Sequence, residues 1–181
     1  VAGTGFLVGG AIVARWGLGS NPVRTMLVLV VLLGLLGATL TLREWPWLFV
    51  GGIWLFMLMM PAIEAAEQTV IQRVVPYEKQ GRVFGLAMTF EAAAAPVTSF
   101  LIAPVAQFWI VPYMREGSGQ ETWGWLLGEG ESRGIALIFF WAGIATALIA
   151  AAAILTPTYR TLTRSYARAV PAEPATPSTA P

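Results

Sequence analysis

Apolar positions in this chain come in long unbroken runs and not in regular alternation with polar ones. Residues 1–14 are apolar apart from one threonine and several glycines, and 25–42 carry no charge. Residues 47–72 are interrupted by Glu64 and Glu67, and 83–111 by Glu91. Residues 135–155 are uncharged and rich in alanine. A run of about 20 residues spans the ~30 Å hydrocarbon core of a bilayer at ~1.5 Å per helical residue. The first run would reach only roughly 21 Å as helix, so it reads as the last part of a span. Soluble helices of such length show a charged face, and 25–42 and 135–155 show none. The pattern predicts an all-α membrane protein with about five transmembrane helices in residues 1–156. A basic helix end follows at 157–170, then a Pro-rich tail at 171–181. The tail is Pro, Ala, Thr, Ser and Glu, which builds no core and is expected to be disordered.

Composition sharpens this reading. Charged residues are 12% of the chain, against about 25% in soluble domains, too few to cover a water-facing surface. The formal net charge of +1 gives no case for nucleic acid as a partner. Cysteine, histidine and aspartate are all absent. No disulfide, no metal site of the thiolate or imidazole kind and no Cys–His or Ser–His catalytic device is therefore expected, and no cofactor.

The connections carry an orientation. Successive loops alternate sides, and one side collects Arg15, Arg24, Arg73, Lys79, Arg82, Arg160, Arg164 and Arg168. The other holds Arg43, Arg115 and Arg133. By the positive-inside rule the first side and the C-terminus are cytoplasmic. The opposite side carries Glu44, Glu116, Glu121, Glu129 and Glu131. Trp45, Trp47, Trp109, Trp123 and Trp125 lie near that outer boundary, either as an interfacial aromatic belt or as core. The outer connection 112–133 is glycine-rich, with a short amphipathic helix predicted near 121–127. Arg160, Arg164 and Arg168 recur every four residues. They form one face of a helix that either meets anionic headgroups or is simply solvated.

Two of the inner loops carry a more specific pattern. The first is Gly9-Gly10-Ala11-Ile12-Val13-Ala14-Arg15-Trp16-Gly17, with Gly10, Arg15 and Gly17 at the positions that matter. The second runs from Gln72 to Gly85 and contains Arg73, Pro76, Gly81 and Arg82. In the first, Gly10 would allow close helix approach and Gly17 a tight turn. In the second, Pro76 would stop one helix, Gly81 turn the chain, and Arg82 cap the next helix. Together these loops resemble those of the major facilitator superfamily, in particular drug:proton antiporters of the macrolide-efflux and siderophore-exporter type. The first departs from that pattern at Ala14, where the family has an acid. The acidic and basic pair near the end of the family's eleventh helix is here Gln107 and Phe108. The resemblance implies a partial major-facilitator fold, with the five runs equivalent to helices 8–12. It also implies a missing N-terminal half as partner and a cavity between two six-helix halves.

The candidate chemistry lies inside the membrane. Glu64, Glu67 and Gln68 share one helical face, and Glu91 opens a face with Ala94, Ala95 and Thr98. A charge at mid-bilayer costs at least ~2.5–3.5 kcal/mol, so such groups face a cavity, find a partner or stay protonated. A carboxyl group closed off from water favours its neutral form, and a neighbouring carboxylate adds to that preference. Such a group is suited to proton coupling or to binding a cationic substrate. The structural alternative pairs Glu67 or Glu91 with Arg73 or Arg82. Phe56, Met57, Met59 and Met60 either line an adaptable drug cavity or pack against lipid and core. Gly51-Gly52, Gly34 and Gly37 suggest close helix contacts.

The expected function is that of the C-terminal part of a secondary active transporter in the cell membrane. It would export drugs or amphipathic metabolites in exchange for protons, and would not be active alone. The alternative is a non-transporting scaffold, or a half-transporter subunit that pairs with a separate N-terminal half. Enzymatic activity is not expected, because no nucleophile–base pair accompanies the glutamates.

Overall fold

The computed structural model describes residues 2–42, 45–116, 118–128 and 133–169. All regular structure among them is helical. Eight α-helices are α1 (Ala2–Trp16), α2 (Pro22–Leu40), α3 (Pro46–Val74), α4 (Tyr77–Val105), α5 (Val111–Glu116), α6 (Gly119–Leu127), α7 (Arg133–Leu155) and α8 (Pro157–Ala169). A π turn, Ala106–Ile110, joins α4 to α5 without a break. Four segments are long and apolar enough to cross a membrane: Pro22–Leu40, Pro46–Val74, Tyr77–Arg115 and Arg133–Leu155. The first apolar run forms α1, which has 15 residues and falls short of a full crossing. The Pro-rich tail 171–181 and the loop residues Arg43, Glu44, Glu129 and Glu131 lie outside the described residues.

Local sequence explains most of the boundaries. Gly17 closes α1 with φ +68°, its N–H bonded to the Val13 carbonyl at 2.8 Å, a conformation that favours glycine. The Asn21 side chain accepts from the Arg24 N–H at 3.1 Å, and Pro22 occupies the first turn of α2. Val75, the residue before Pro76, is extended at ψ 128°, as proline requires of its predecessor, and this ends α3. Thr156, the single residue between α7 and α8, receives the Tyr159 N–H at 3.3 Å and so starts α8.

Where the fourth run was expected to start near 83, α4 starts at Tyr77. The turn is made at 75–76 alone, so Gly81 lies inside the helix and does not turn the chain, and Arg82 lies inside it too and does not cap it. The Gln80 amide takes the bracing role, donating to the carbonyls of Gln72 (2.8 Å) and Val75 (3.1 Å). Pro96 and Pro104 sit inside α4 and remove the N–H groups that would bond the carbonyls of Ala92 and Phe100. The π turn follows directly after the second proline.

Small residues set the packing. The lipid hydrocarbon is as apolar as leucine, so helices associate by close backbone approach. Gly5 and Gly9 of α1 lie against the backbone carbonyls of Trp54 and Leu58 on α3. Gly34 of α2 meets Gly143 and Ala147 of α7. A Cβ at Gly34 would stand 2.7 Å from the Gly143 oxygen, and one at Gly143 would stand 2.7 Å from the Ala38 nitrogen. Gly52 receives the Leu40 side chain, which joins α3 to α2. Gly10, expected at a contact, faces open space, as do Gly37 and Gly51. Helical spacing explains this, since Gly5 and Gly9 are four apart on the α3-facing side and Gly10 is turned about 100° away.

The end of the bundle that carries the α2–α3 connection and the start of α7 is capped by α5 and α6. Met114, Leu127 and Leu137 form a small buried core there, with Trp123 packed against it. Trp123 also meets Trp141 edge-on (5.9 Å) and Phe140 at a tilt (6.3 Å, 57°). Trp45, Trp47, Trp109 and Trp125 are exposed. Of the five tryptophans, Trp123 is therefore partly buried against this core and the other four are exposed. Arg133, counted from sequence among the loop charges, is only 6% exposed and heads α7 beside Gly128.

Candidate functional site

α3 and α4 run antiparallel from their shared turn, and between them lies an open groove of about 170 Å³. One wall is Glu64, Glu67 and Gln68 of α3. The other is Phe84, Ala87, Met88 and Glu91 of α4. The spacings i, i+3, i+4 on α3 and i, i+3, i+4, i+7 on α4 place each set on one helical face. All four polar candidates read from the sequence therefore meet in one place. Phe84, Ala87 and Met88 were not anticipated. Their spacing to Glu91 is a helical stripe, but an apolar stripe in an apolar helix carries no contrast.

Glu64 lies ten residues before the end of α3, about 15 Å along the helix, and Glu91 fourteen residues after the start of α4, about 21 Å. Both glutamates therefore lie within the two candidate spans, Pro46–Val74 and Tyr77–Arg115. The side chains of Glu64, Glu67, Gln68 and Glu91 are exposed in the groove. Among the described residues, the three glutamates have no ion-pair or hydrogen-bond partner. The alternative pairing of Glu67 or Glu91 with Arg73 or Arg82 does not form. Arg73 instead places its guanidinium 5.2 Å from the Tyr166 ring centre, because α8 crosses the end of α3 at that point.

α4 is the least embedded element. It contains no buried residue, and Phe90, Phe100 and Leu101 are among its exposed apolar side chains. Gln107 and Phe108 lie in the π turn, with Phe108 exposed. The first loop motif is held differently from the second. Arg15 is exposed and stands 5.8 Å from the Trp16 ring, and the Thr25 hydroxyl closes the loop by donating to the Leu18 carbonyl at 2.9 Å.

A second, apolar cavity of about 410 Å³ lies among α2, α3 and α7. Phe56 and Met57 line it, together with Phe49, Ile53, Leu40 and Phe139. Met59 and Met60 do not, so the methionine cluster is divided between cavity and other surroundings. The single hydroxyl in that cavity, on Thr41, donates to the Ala38 carbonyl at 2.6 Å.

Comparison with protein-family models, with curated proteins and with solved structures finds no match.

Proposed function

We propose that this chain is one half of a secondary active transporter of the major-facilitator kind, and that the α3–α4 groove is its coupling site. The observation that carries the proposal is the convergence of three carboxylates and one amide in a groove between two helices long and apolar enough to cross a membrane. Exposed carboxylates facing lipid would be costly. Exposed carboxylates facing a water-filled cavity, closed on its far side by a second helical half, are not. The open, uncovered faces of α4 supply the surface such a half would use.

In this reading the groove alternates between wet and closed surroundings. A carboxyl group takes up a proton when water withdraws and releases it, or exchanges it for a cationic substrate, when water returns. Phe84 and Met88 give the site an apolar wall adapted to amphipathic molecules. The excess of arginine on the α3–α4 and α7–α8 side supports, by the positive-inside rule, a cytoplasmic orientation for that side and for the C-terminus. The partner is a helical membrane half, and cargo is a small amphipathic molecule.

The test is proton-driven efflux of a cationic dye in inverted vesicles made with this chain and its complementary half. Glu91→Gln is expected to abolish the proton-driven component while leaving membrane abundance unchanged. An unaltered rate removes the coupling role from the groove.

A further inference from the structure

α8 is a separate feature that the transport reading does not use. A single residue, Thr156, separates it from α7, whose last residue, Leu155, is 80% exposed. α8 does not continue outward as an extension of α7. It crosses beneath the ends of α2 and α3. Its inner face is Tyr159, Leu162, Thr163 and Tyr166, spaced i, i+3, i+4, i+7. Tyr166 is buried under Arg73, and the Tyr159 hydroxyl accepts from the Asn21 amide at 3.4 Å. The helix is thus fastened at two points, one on each neighbour.

This docking turns Arg160, Arg164 and Arg168 outward, and all three are exposed. At 100° per residue they cover one flank and the underside of α8. Arg24, exposed in the first turn of α2, lies three residues from the Asn21 anchor and adds to the same corner. α8 contains no acidic residue to neutralise this face. Because α8 departs from the last apolar residue of the candidate span Arg133–Leu155, a bilayer crossed by that span would bring its headgroup phosphates to this face.

We infer that α8 is an anionic-lipid-binding helix, clamped to the bundle on its tyrosine side and engaging headgroup phosphates through Arg160, Arg164 and Arg168. Guanidinium groups bind phosphate oxygens in a two-pronged fashion and stay charged at any physiological pH. Attraction to an anionic leaflet acts on each arginine near the surface and fades within a Debye length. The clamp on Arg73 connects this lipid contact to α3, the helix that carries Glu64 and Glu67.

The chain has no cysteine, so Ala167→Cys provides a unique site for an environment-sensitive fluorophore beside the arginine flank. The full chain is reconstituted in protein-free vesicles of phosphatidylcholine alone, or with about one third phosphatidylglycerol. Quenching by headgroup-attached nitroxide is expected to rise several-fold with the anionic lipid and to fall back at 1 M salt. The combined R160Q/R164Q/R168Q variant should lose that rise, whereas K79Q/R82Q, which changes as many as two cytoplasmic-side charges elsewhere, should keep it. Equal quenching in both vesicle types overturns the inference and leaves the face to an acidic protein or to solvent. So does a rise that survives removal of the three arginines. Neither result depends on the outcome of the Glu91→Gln efflux experiment.

Discussion

Individual residues show two ways in which a membrane chain uses small and polar groups. Gly34 and Gly143 are required because each lies against the backbone of the opposite helix. Gly34→Val or Gly143→Val should destabilise the fold by about 1–3 kcal/mol through overpacking, read as a lowered unfolding midpoint in detergent. Gly10→Ala and Gly37→Ala meet open space and should leave the midpoint near that of the parent. Sequence singled out Gly10 and passed over Gly5 and Gly9, although the four-residue spacing of Gly5 and Gly9 was visible. The reason is that glycine spacing says that a close approach is possible, and only the neighbour's position says on which side it happens. The glutamates behave in the opposite way. They were conspicuous because charge is rare in such runs, and rarity in an apolar background is a signal that needs no partner to be read.

Elements were legible wherever a strong local rule applied and less so where a side chain from elsewhere decided the outcome. The stop at Val75 before Pro76, the turn at Gly17 and the short helix near 121–127 follow from backbone rules within a few residues. The start of α4 does not. Gln80 reaches back across the turn to two carbonyls at the end of α3, and this allows the helix to begin at Tyr77 with no glycine turn. Gln80→Ala should free both carbonyls, at a cost of about 0.5–1.5 kcal/mol for each lost bond, and appear as faster amide exchange over 72–78. α8 depends in the same way on remote partners. Tyr166→Ala removes the ring that lies against Arg73 and the buried contact beneath α8. It should release the helix from the bundle, read as faster tryptic cleavage after Arg160, Arg164 and Arg168 with the spans still protected.

At the scale of the whole molecule the arrangement predicts a sided protein. The α3–α4 turn and the α5–α6 cap lie at opposite ends of the bundle. A single cysteine at Lys79 should therefore react with an impermeant reagent only from the cytoplasmic side of sealed vesicles. One at Ser118 should react only from the other side, and labelling of both from one side would refute the topology. Much of this was fixed by sequence alone. Hydropathy determined that the chain is helical and built for lipid, because a buried backbone in hydrocarbon must satisfy its own hydrogen bonds. The distribution of arginine gives an expected orientation of the two ends, which the labelling experiment tests. Tertiary structure decided what no local pattern contains: that Glu64, Glu67, Gln68 and Glu91 share one groove, that Trp123 packs against a buried core while Trp45, Trp47, Trp109 and Trp125 are exposed, and that Arg73 turns to Tyr166 and not to a glutamate. The physical reason is one of range. Burial in lipid is a property of each residue summed along a helix, whereas a groove or a ring contact depends on the relative rotation of two helices, and that rotation is set by glycines whose contacts appear only when the helices meet.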